Sequence, residues 1–185
     1  MDKVYVSPDE LRRDSYQLGA TVLQDGFKPD FMVAIWRGGA TIGLCIHELM
    51  KYKGVNADHI AIRTSKYTGI DVANNQVTVH NLGYLRERLT RDSQVLLVDD
   101  IFDTGHSIEA IFNALSTQLG DNMPSDIRVA TVYYKPSRNQ TSRVPDYYIH
   151  ETNAWVVFSH ELEGMSLDEI RMVMGDEIGD IVSSC

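Results

Sequence analysis

Three aspartates and a short turn follow one apolar run in the middle of the chain. The run Val95–Val98 leads directly into Asp99–Ser107, which reads DDIFDTGHS. Carboxylates at the end of a strand, such as Asp99 and Asp100, can hold sugar hydroxyls or a hard cation. The turn that follows offers backbone N–H groups and hydroxyls that suit a phosphate dianion, especially at a helix start. Carboxylates beside a phosphate site indicate a sugar phosphate as the ligand.

Each of these residues also has a structural alternative. Asp99 and Asp100 could simply solvate the end of a strand, while Asp103 or Thr104 caps the helix that follows. The combination of three aspartates, Thr-Gly and a serine in this order, directly after an apolar strand, favours the ligand site.

The rest of the sequence predicts the elements that would position this segment. Apolar runs predict strands, and runs with helical spacing predict helices between them, which is typical of an α/β fold with a mainly parallel sheet. The predicted strands cover residues 31–36, 59–63, 95–98 and 127–134. Ligands of such folds bind at the carboxyl ends of the strands. We therefore expect Asp99–Ser107 to line a site.

The two ends of the chain are predicted to be helical. The segment Ser7–Glu10 (SPDE) has the order of a helix start, with serine as the N-cap, proline first and glutamate three residues after the cap. It predicts a helix over residues 8–25. Residues 166–185 predict a helix followed by an acidic tail. With a length of 185 residues, we expect one domain over residues 1–185, with its core at about 28–162.

Composition excludes several classes of protein. Hydrophobic residues make up 43% and charged residues 23%, so disordered, collagen-like and coiled-coil chains are excluded. The net charge of −9 repels nucleic-acid phosphates, and we expect no nucleic-acid partner. The two cysteines, Cys45 and Cys185, form no disulfide framework, and no segment predicts a signal peptide or a membrane span. We expect a cytoplasmic protein with no membrane partner.

The 13 residues at 95–107, VLLVDDIFDTGHS, resemble the phosphoribosyl-pyrophosphate signature of type I phosphoribosyltransferases. The resemblance extends over roughly residues 28–162 and includes Trp36–Gly39 (WRGG). The Lys135-Pro136 pair, and VPDYY at 144–148 followed by Trp155, are similar to the branch that acts on 6-oxopurines. The resemblance implies a type I phosphoribosyltransferase fold, in which helices flank a central, mainly parallel sheet and a small hood covers the base site.

The activity that this resemblance implies is purine salvage. Ribose 5-phosphate would pass from phosphoribosyl pyrophosphate to N9 of hypoxanthine, guanine or xanthine, and pyrophosphate would leave. By the family pattern, Asp99 and Asp100 hold the ribose hydroxyls directly or through Mg²⁺, and Asp103 is the general acid/base near purine N7. The residues implied to bind phosphoribosyl pyrophosphate are Arg37, Gly38, Asp99, Asp100, Asp103, Thr104, Gly105, His106 and Ser107.

The resemblance also assigns residues to the purine. Lys135 would donate a hydrogen bond to the 6-oxygen, Trp155 would stack on the ring, and the Val156 backbone would contact the base edge. Glu161 has the spacing of an acidic residue that faces the purine 2-position, although His160 beside it departs from the family pattern. The alternatives are a solvated surface lysine for Lys135 and a core side chain for Trp155.

A polar stretch over residues 64–76 resembles the mobile catalytic loop of the family. It lacks periodicity and is longer than ordinary connections, which favours a functional lid. Ser65, Lys66 or Tyr67 would contact pyrophosphate when this lid closes.

Two other functions stay open at this point. One is a regulatory protein that keeps the fold and senses phosphoribosyl pyrophosphate or nucleotides, although the charge of −9 argues against a nucleic-acid-binding regulator. The other is an unrelated Mg²⁺-dependent phosphohydrolase, which would leave Lys135-Pro136 and Trp155 unexplained. The resemblance further predicts a homodimer or homotetramer and leaves the preferred base open.

Overall fold

A computed structural model describes residues 3–66 and 77–185 of the chain. The strands are β1 (Lys3–Val6), β2 (Phe31–Trp36), β3 (Asp58–Lys66), β4 (Val77–His80), β5 (Gln94–Phe102), β6 (Asp126–Tyr134), β7 (Tyr147–Glu151) and β8 (Trp155–Phe158). The helices are α1 (Pro8–Gln24), α2 (Gly38–Tyr52), α3 (Gly83–Arg88), α4 (His106–Leu119), α5 (Leu167–Met174) and α6 (Asp176–Ser183). Within the described ranges, no helix combines the length and apolar character needed to cross a bilayer.

The strands form one large sheet and one small one. The large sheet has the order β4-β3-β2-β5-β6-β7, and every pair in it is parallel except β3 with β4. The carboxyl ends of β2, β5 and β6 therefore meet at the same edge. The small sheet pairs β1 with β8 in parallel, with Lys3 opposite Trp155. The predicted α/β fold with a mainly parallel sheet is confirmed.

Helices cover both faces of the large sheet, which explains the uninterrupted apolar run of β5. Leu96 and Val98 join the buried cluster that includes residues of α1 and α2. Val95 and Leu97 join a second cluster that includes residues of α3 and α4. Because successive side chains of a strand point to opposite faces, a strand buried on both sides needs apolar residues at every position.

The predicted start of the first helix is confirmed. Ser7 is the N-cap of α1, and its hydroxyl accepts a hydrogen bond from Glu10 N at 3.3 Å. The Glu10 carboxylate accepts one from Ser7 N at 3.0 Å. This reciprocal pair satisfies two of the N–H groups that a helix start leaves without partners.

Two expectations about irregular segments need correction. Thr64, Ser65 and Lys66 lie in β3, because this strand pairs in antiparallel register with β4, with Lys66 opposite Val77. The remaining residues of the expected loop, 67–76, which include Tyr67, lie outside the described residues. The expected acidic tail is helical and forms α6. Arg171 of α5 donates to Asp180 of α6 at 2.6 Å, and such local ion pairs stabilise a helix that the sequence alone did not indicate.

Glu169 of α5 connects this C-terminal helix to the N-terminal strand β1 by hydrogen bonds. Its carboxylate accepts hydrogen bonds from Lys3 Nζ at 2.5 Å and Tyr5 OH at 2.6 Å. It also accepts from Ser166 N at 2.9 Å, as part of the capping box of α5. The hydrogen bond from Lys3, followed by those from Ser166 and Tyr5, lowers the pKa of Glu169 to about 2.

We predict that Glu169→Gln lowers the melting temperature at neutral pH. Because the folded pKa lies below that of the unfolded chain, the wild-type carboxylate contributes its full stability above the unfolded value and loses it as pH falls through the folded value. The difference between the two proteins should therefore be complete at pH 7 and shrink between about pH 4.5 and pH 2. Thermal unfolding at a series of pH values measures the difference in melting temperature between wild type and Glu169→Gln. A constant difference over this range would contradict the assignment.

Candidate active site

The site begins where the start of α2 touches the end of β5. A Cβ atom added to Gly38 would lie 1.8 Å from Asp100 Oδ2, and one added to Gly39 would lie 2.2 Å from the Val98 carbonyl oxygen. No side chain fits at either position, so the approach requires two glycines. The peptide bond between Trp36 and Arg37, just before this contact, is cis.

Asp99 and Asp100 form a crowded acidic pair at the end of β5. The Asp99 carboxylate accepts hydrogen bonds from the backbone N–H groups of Asp100, at 3.0 Å, and of Gly39. Burial raises the pKa of Asp99 well above its usual range, and the neighbouring Asp100 charge raises it further. Asp100 is buried, and its Oδ2 lies 3.0 Å from His160 Nε2. A cation would relieve the repulsion between the two carboxylates.

The turn after β5 is built around Gly105. This residue adopts φ +82°, a left-handed conformation that favours glycine, and α4 begins at the next residue. Gly105 supplies no side-chain cap, and the bond from His106 N to Thr104 Oγ1 is long at 3.5 Å. The alternative that Asp103 or Thr104 serves only to cap α4 is therefore not supported, because neither side chain makes a well-aligned, short capping bond. The first N–H groups of α4 are available to an anion.

A segment that sequence reasoning missed, residues 138–141, packs over this turn. Gln140 N donates to the Thr104 carbonyl at 3.0 Å, and the Gln140 side chain contacts His106 Nε2 at 2.9 Å. Thr141 Oγ1 lies 2.5 Å from where a Cβ on Gly105 would be. Nothing in the sequence of this segment identifies it, except that it follows the Lys135-Pro136 pair.

Asp103 faces two cations. Lys135 Nζ donates to its Oδ2 at 3.5 Å, and Arg138 Nε lies 2.6 Å from its Oδ1 without the alignment of a hydrogen bond. Lys135 is only 3% exposed, and its Nζ lies 5.6 Å from the centroid of the Trp155 ring. The surface alternative for Lys135 is therefore wrong, because Asp103 and Trp155 enclose its ammonium group.

Two adjoining cavities lie along these residues. One of about 330 Å³ is lined by residues 99–105, Ser107, Ile108, Arg138 and Trp155. A smaller one of about 150 Å³ is lined by Asp100, Ile101, Asp103, Lys135, Trp155, Val156, Phe158 and Glu161. Trp155 borders both and is 50% exposed, so the core alternative for this ring is wrong. Burial, and then the Asp100 charge, raise the pKa of Glu161.

The remaining predicted site residues lie around these two cavities. Arg37 and Ser65 line a third cavity of about 470 Å³. The Gly38 backbone touches Asp100, as described above. His106 lines a separate cavity along α4. Lys66 lies in β3, and Tyr67 lies outside the described residues.

The acidic pair has the donor chemistry that Mg²⁺ requires. Magnesium prefers carboxylate oxygens and usually keeps several waters and substrate phosphate oxygens. Asp99 and Asp100 provide such oxygens, and a bound cation would offset the Asp100 charge that, after burial, raises the pKa of Asp99. The residues therefore fit this ion.

Comparisons with known proteins agree with this geometry. A family model described as the phosphoribosyl transferase domain matches residues 9–166. No curated protein matches the chain. A purine phosphoribosyltransferase of Pyrococcus horikoshii has 24% identity and a TM-score of 0.68, with 90% of this chain and 98% of that chain covered. A xanthine-guanine-hypoxanthine phosphoribosyltransferase of Helicobacter pylori has 22% identity and a TM-score of 0.66, with coverage of 87% and 95%. A protein of Neisseria gonorrhoeae with bound ppGpp has 18% identity and a TM-score of 0.72, with coverage of 96% and 98%.

We predict that Gly39→Ala destabilises the protein by about 1–3 kcal/mol, the usual cost of overpacking a close contact. The added methyl group would meet the backbone of β5, which cannot turn aside. Gly83→Ala is the matched control, since nothing lies within 4 Å of a Cβ at that helix start, and alanine there should be neutral or stabilising by up to about 1 kcal/mol. Urea unfolding measures both. Equal free energies of unfolding for the two variants would contradict the close contact.

Proposed function

Because the chain belongs to the phosphoribosyl transferase domain family, we propose that it is a purine phosphoribosyltransferase of the 6-oxopurine type. It transfers ribose 5-phosphate from phosphoribosyl pyrophosphate to N9 of hypoxanthine, guanine or xanthine. The observation that carries this proposal is the buried Lys135, whose ammonium lies between Asp103 and the exposed Trp155. These three residues line a cavity next to the turn at Asp103–Ser107. A donor beside an open aromatic ring suits a planar base that carries an oxygen.

The larger cavity suits the sugar phosphate. The turn at Asp103–Ser107 and the start of α4 provide N–H groups for the 5-phosphate. Asp99 and Asp100 face the ribose hydroxyls from the end of β5. Arg37 precedes α2 and, with Ser65, lines the neighbouring cavity, where pyrophosphate would lie. Mg²⁺ held near Asp99 and Asp100 would neutralise the pyrophosphate and favour its departure.

The chemical step builds positive charge on the ribose ring as the bond to pyrophosphate breaks. Carboxylates at the end of β5 stabilise that charge, because fixed groups in a site with little water act more strongly than in solution. Asp103 lies between both cavities and can exchange a proton with purine N7. Lys135 and Arg138 hold its carboxylate in place.

A nucleotide sensor is the second candidate, and one comparison favours it. The Neisseria gonorrhoeae neighbour was solved with ppGpp, a guanine nucleotide with two diphosphate groups. Such a ligand joins a 6-oxopurine to phosphates, and the two adjoining cavities of this chain offer groups that suit both parts. A sensor would bind the nucleotide without turning over a base, and measured turnover decides between the two candidates. The homodimer or homotetramer and the cytoplasmic location stay predictions.

We predict that Asp103→Asn lowers kcat by at least ~10²-fold, because the amide keeps the shape of the side chain but cannot take up the proton. Since Asp103 also pairs with the buried Lys135, thermal unfolding must show that the variant folds. Asp103→Glu keeps the negative charge beside Lys135 and Arg138 and should retain more activity than the asparagine variant. A folded asparagine variant with near-normal kcat would remove Asp103 from the chemistry.

We predict that the protein uses hypoxanthine, guanine or xanthine, and rejects adenine. Lysine offers only donors, so the 6-amino group of adenine would meet another donor in a desolvated cavity. A site built for one hydrogen bond can reject an analogue that lacks it by about 10⁴-fold. Steady-state kcat/KM for these four bases with phosphoribosyl pyrophosphate and Mg²⁺ measures the preference. Adenine turnover equal to that of hypoxanthine would exclude the 6-oxopurine assignment.

Lys135→Met tests the origin of this preference, because methionine fills similar space without a donor. The variant should lose most of its activity on 6-oxopurines, so that its kcat/KM for these bases comes closer to its kcat/KM for adenine. Arg138→Met is the matched control, since it removes the other cation beside Asp103 and should affect all bases equally. The same loss of preference in both variants would mean that charge balance at Asp103, not base recognition, is responsible.

A further inference from the structure

His160 occupies a position that the proposed reaction does not use. It follows β8, and its Nε2 lies 3.0 Å from Asp100 Oδ2, although the two residues are 60 positions apart in the chain. The side chains of His160 and Asp100 are 16% and 12% exposed. An imidazole has therefore been brought against a carboxylate at the end of the central strand, where water has little access.

The imidazole ring is held in this position from two sides. It stacks on the Phe158 ring, with centroids 5.1 Å apart and planes 13° from parallel. Its other nitrogen, Nδ1, is buried and has no hydrogen-bond partner among the described residues. Asp100 is thus the polar group that orients Nε2, and no described acceptor competes for the ring or fixes its tautomer.

A third ligand group completes a cluster with these two. One ligand atom each from Asp100, His160 and Glu161 can be chosen so that all three lie within 4.8 Å of one another. In an octahedral site, ligand atoms about 2.1 Å from the ion are about 3.0 Å apart when adjacent and about 4.2 Å apart when opposite. The 3.0 Å separation of Asp100 and His160 fits two adjacent ligands, and the Glu161 oxygen lies within 4.8 Å of both.

We propose that Asp100, His160 and Glu161 form a divalent-cation site with one nitrogen and two oxygen ligands, which selects Mn²⁺ over Mg²⁺. Imidazole suits transition-metal ions, whereas the harder Mg²⁺ prefers oxygen ligands and gives up its waters reluctantly. Water or substrate oxygens fill the remaining positions. The site shares Asp100 with the acidic pair and differs from it by its nitrogen ligand.

Gly38 restricts the geometry of this site. Because Asp100 Oδ2 lies where a side chain on Gly38 would begin, the Asp100 carboxylate is confined between the start of α2 and His160. A confined carboxylate cannot adapt freely to different ions, so the nitrogen ligand of His160 decides the preference between Mn²⁺ and Mg²⁺. The use of the ion in the reaction rests on the proposed function, whereas its binding does not.

Binding of Mn²⁺ to the whole protein without substrate tests the proposal. The electron paramagnetic resonance signal of free Mn²⁺ falls as the ion binds, and the wild type should bind it more tightly than Mg²⁺ added as a competitor. Electron spin-echo measurements on the bound ion should show coupling to an imidazole nitrogen. His160→Gln should lose this coupling and bind Mn²⁺ at least about tenfold more weakly, since even outer partners of metal ligands change affinity by about 10–100-fold.

His160→Gln also separates a ligand from a group that merely positions Asp100. Glutamine can still donate to Asp100, so a positioning role predicts unchanged Mn²⁺ affinity. His47→Gln is the matched control, because it removes an imidazole outside the cluster, where the His47 ring lies 4.4 Å from the His59 ring. The control should leave affinity and nitrogen coupling unchanged.

Three results would overturn the proposal: no Mn²⁺ binding by the folded wild type, bound Mn²⁺ without nitrogen coupling, or equal Mn²⁺ affinity in wild type and His160→Gln. Turnover of the four bases is measured separately. If the protein binds Mn²⁺ as expected but turns over no base, the proposed function is wrong, whereas the proposal of the cation site is still supported.

Discussion

The site depends on the contact between the start of α2 and the end of β5. The Gly38 and Gly39 backbone lies so close to Val98 and Asp100 that no side chain fits between them. This contact orients Asp99 through the Gly39 N–H group and confines Asp100. It also places Arg37 beside the carboxyl edge of the sheet. Two glycines in a row thus convert a common strand-turn-helix unit into one wall of a binding site.

Charge is the second constraint, because the proposed substrate is an anion and the chain has a net charge of −9. Several carboxylates lie together at the end of β5, and only one of them is paired with cationic side chains. Asp103 has Lys135 and Arg138, whereas Asp99 and Asp100 have a neighbouring carboxylate and a histidine. Their partners are backbone N–H groups and an imidazole, and the proposed cation would balance the negative charge that these partners leave.

The position of Trp155 depends on contacts between elements near the two ends of the chain. β1 pairs with β8 so that Lys3 lies opposite Trp155, and Glu169 of α5 binds Lys3 and Tyr5. The first strand, β1, and helix α5 therefore support β8, the strand that carries the Trp155 ring. Residues 138–141 pack in a similar way over the turn at Asp103–Ser107, from the connection that follows β6. Both supports position side chains that line the two adjoining cavities.

Local sequence patterns determined the sheet, its parallel character and the acidic segment at the end of β5. An apolar run, a capping box or a 13-residue signature involves neighbours along the chain, so its meaning is contained in the sequence. Tertiary structure alone decided which distant groups meet. Lys135 is buried because Asp103 and Trp155 enclose it, Thr64–Lys66 become a strand because β4 pairs with them, and α6 forms against Arg171. His160 faces Asp100 across 60 residues. The burial and partners of a polar side chain depend on what packs against it, which is a property of the fold and not of its sequence neighbours.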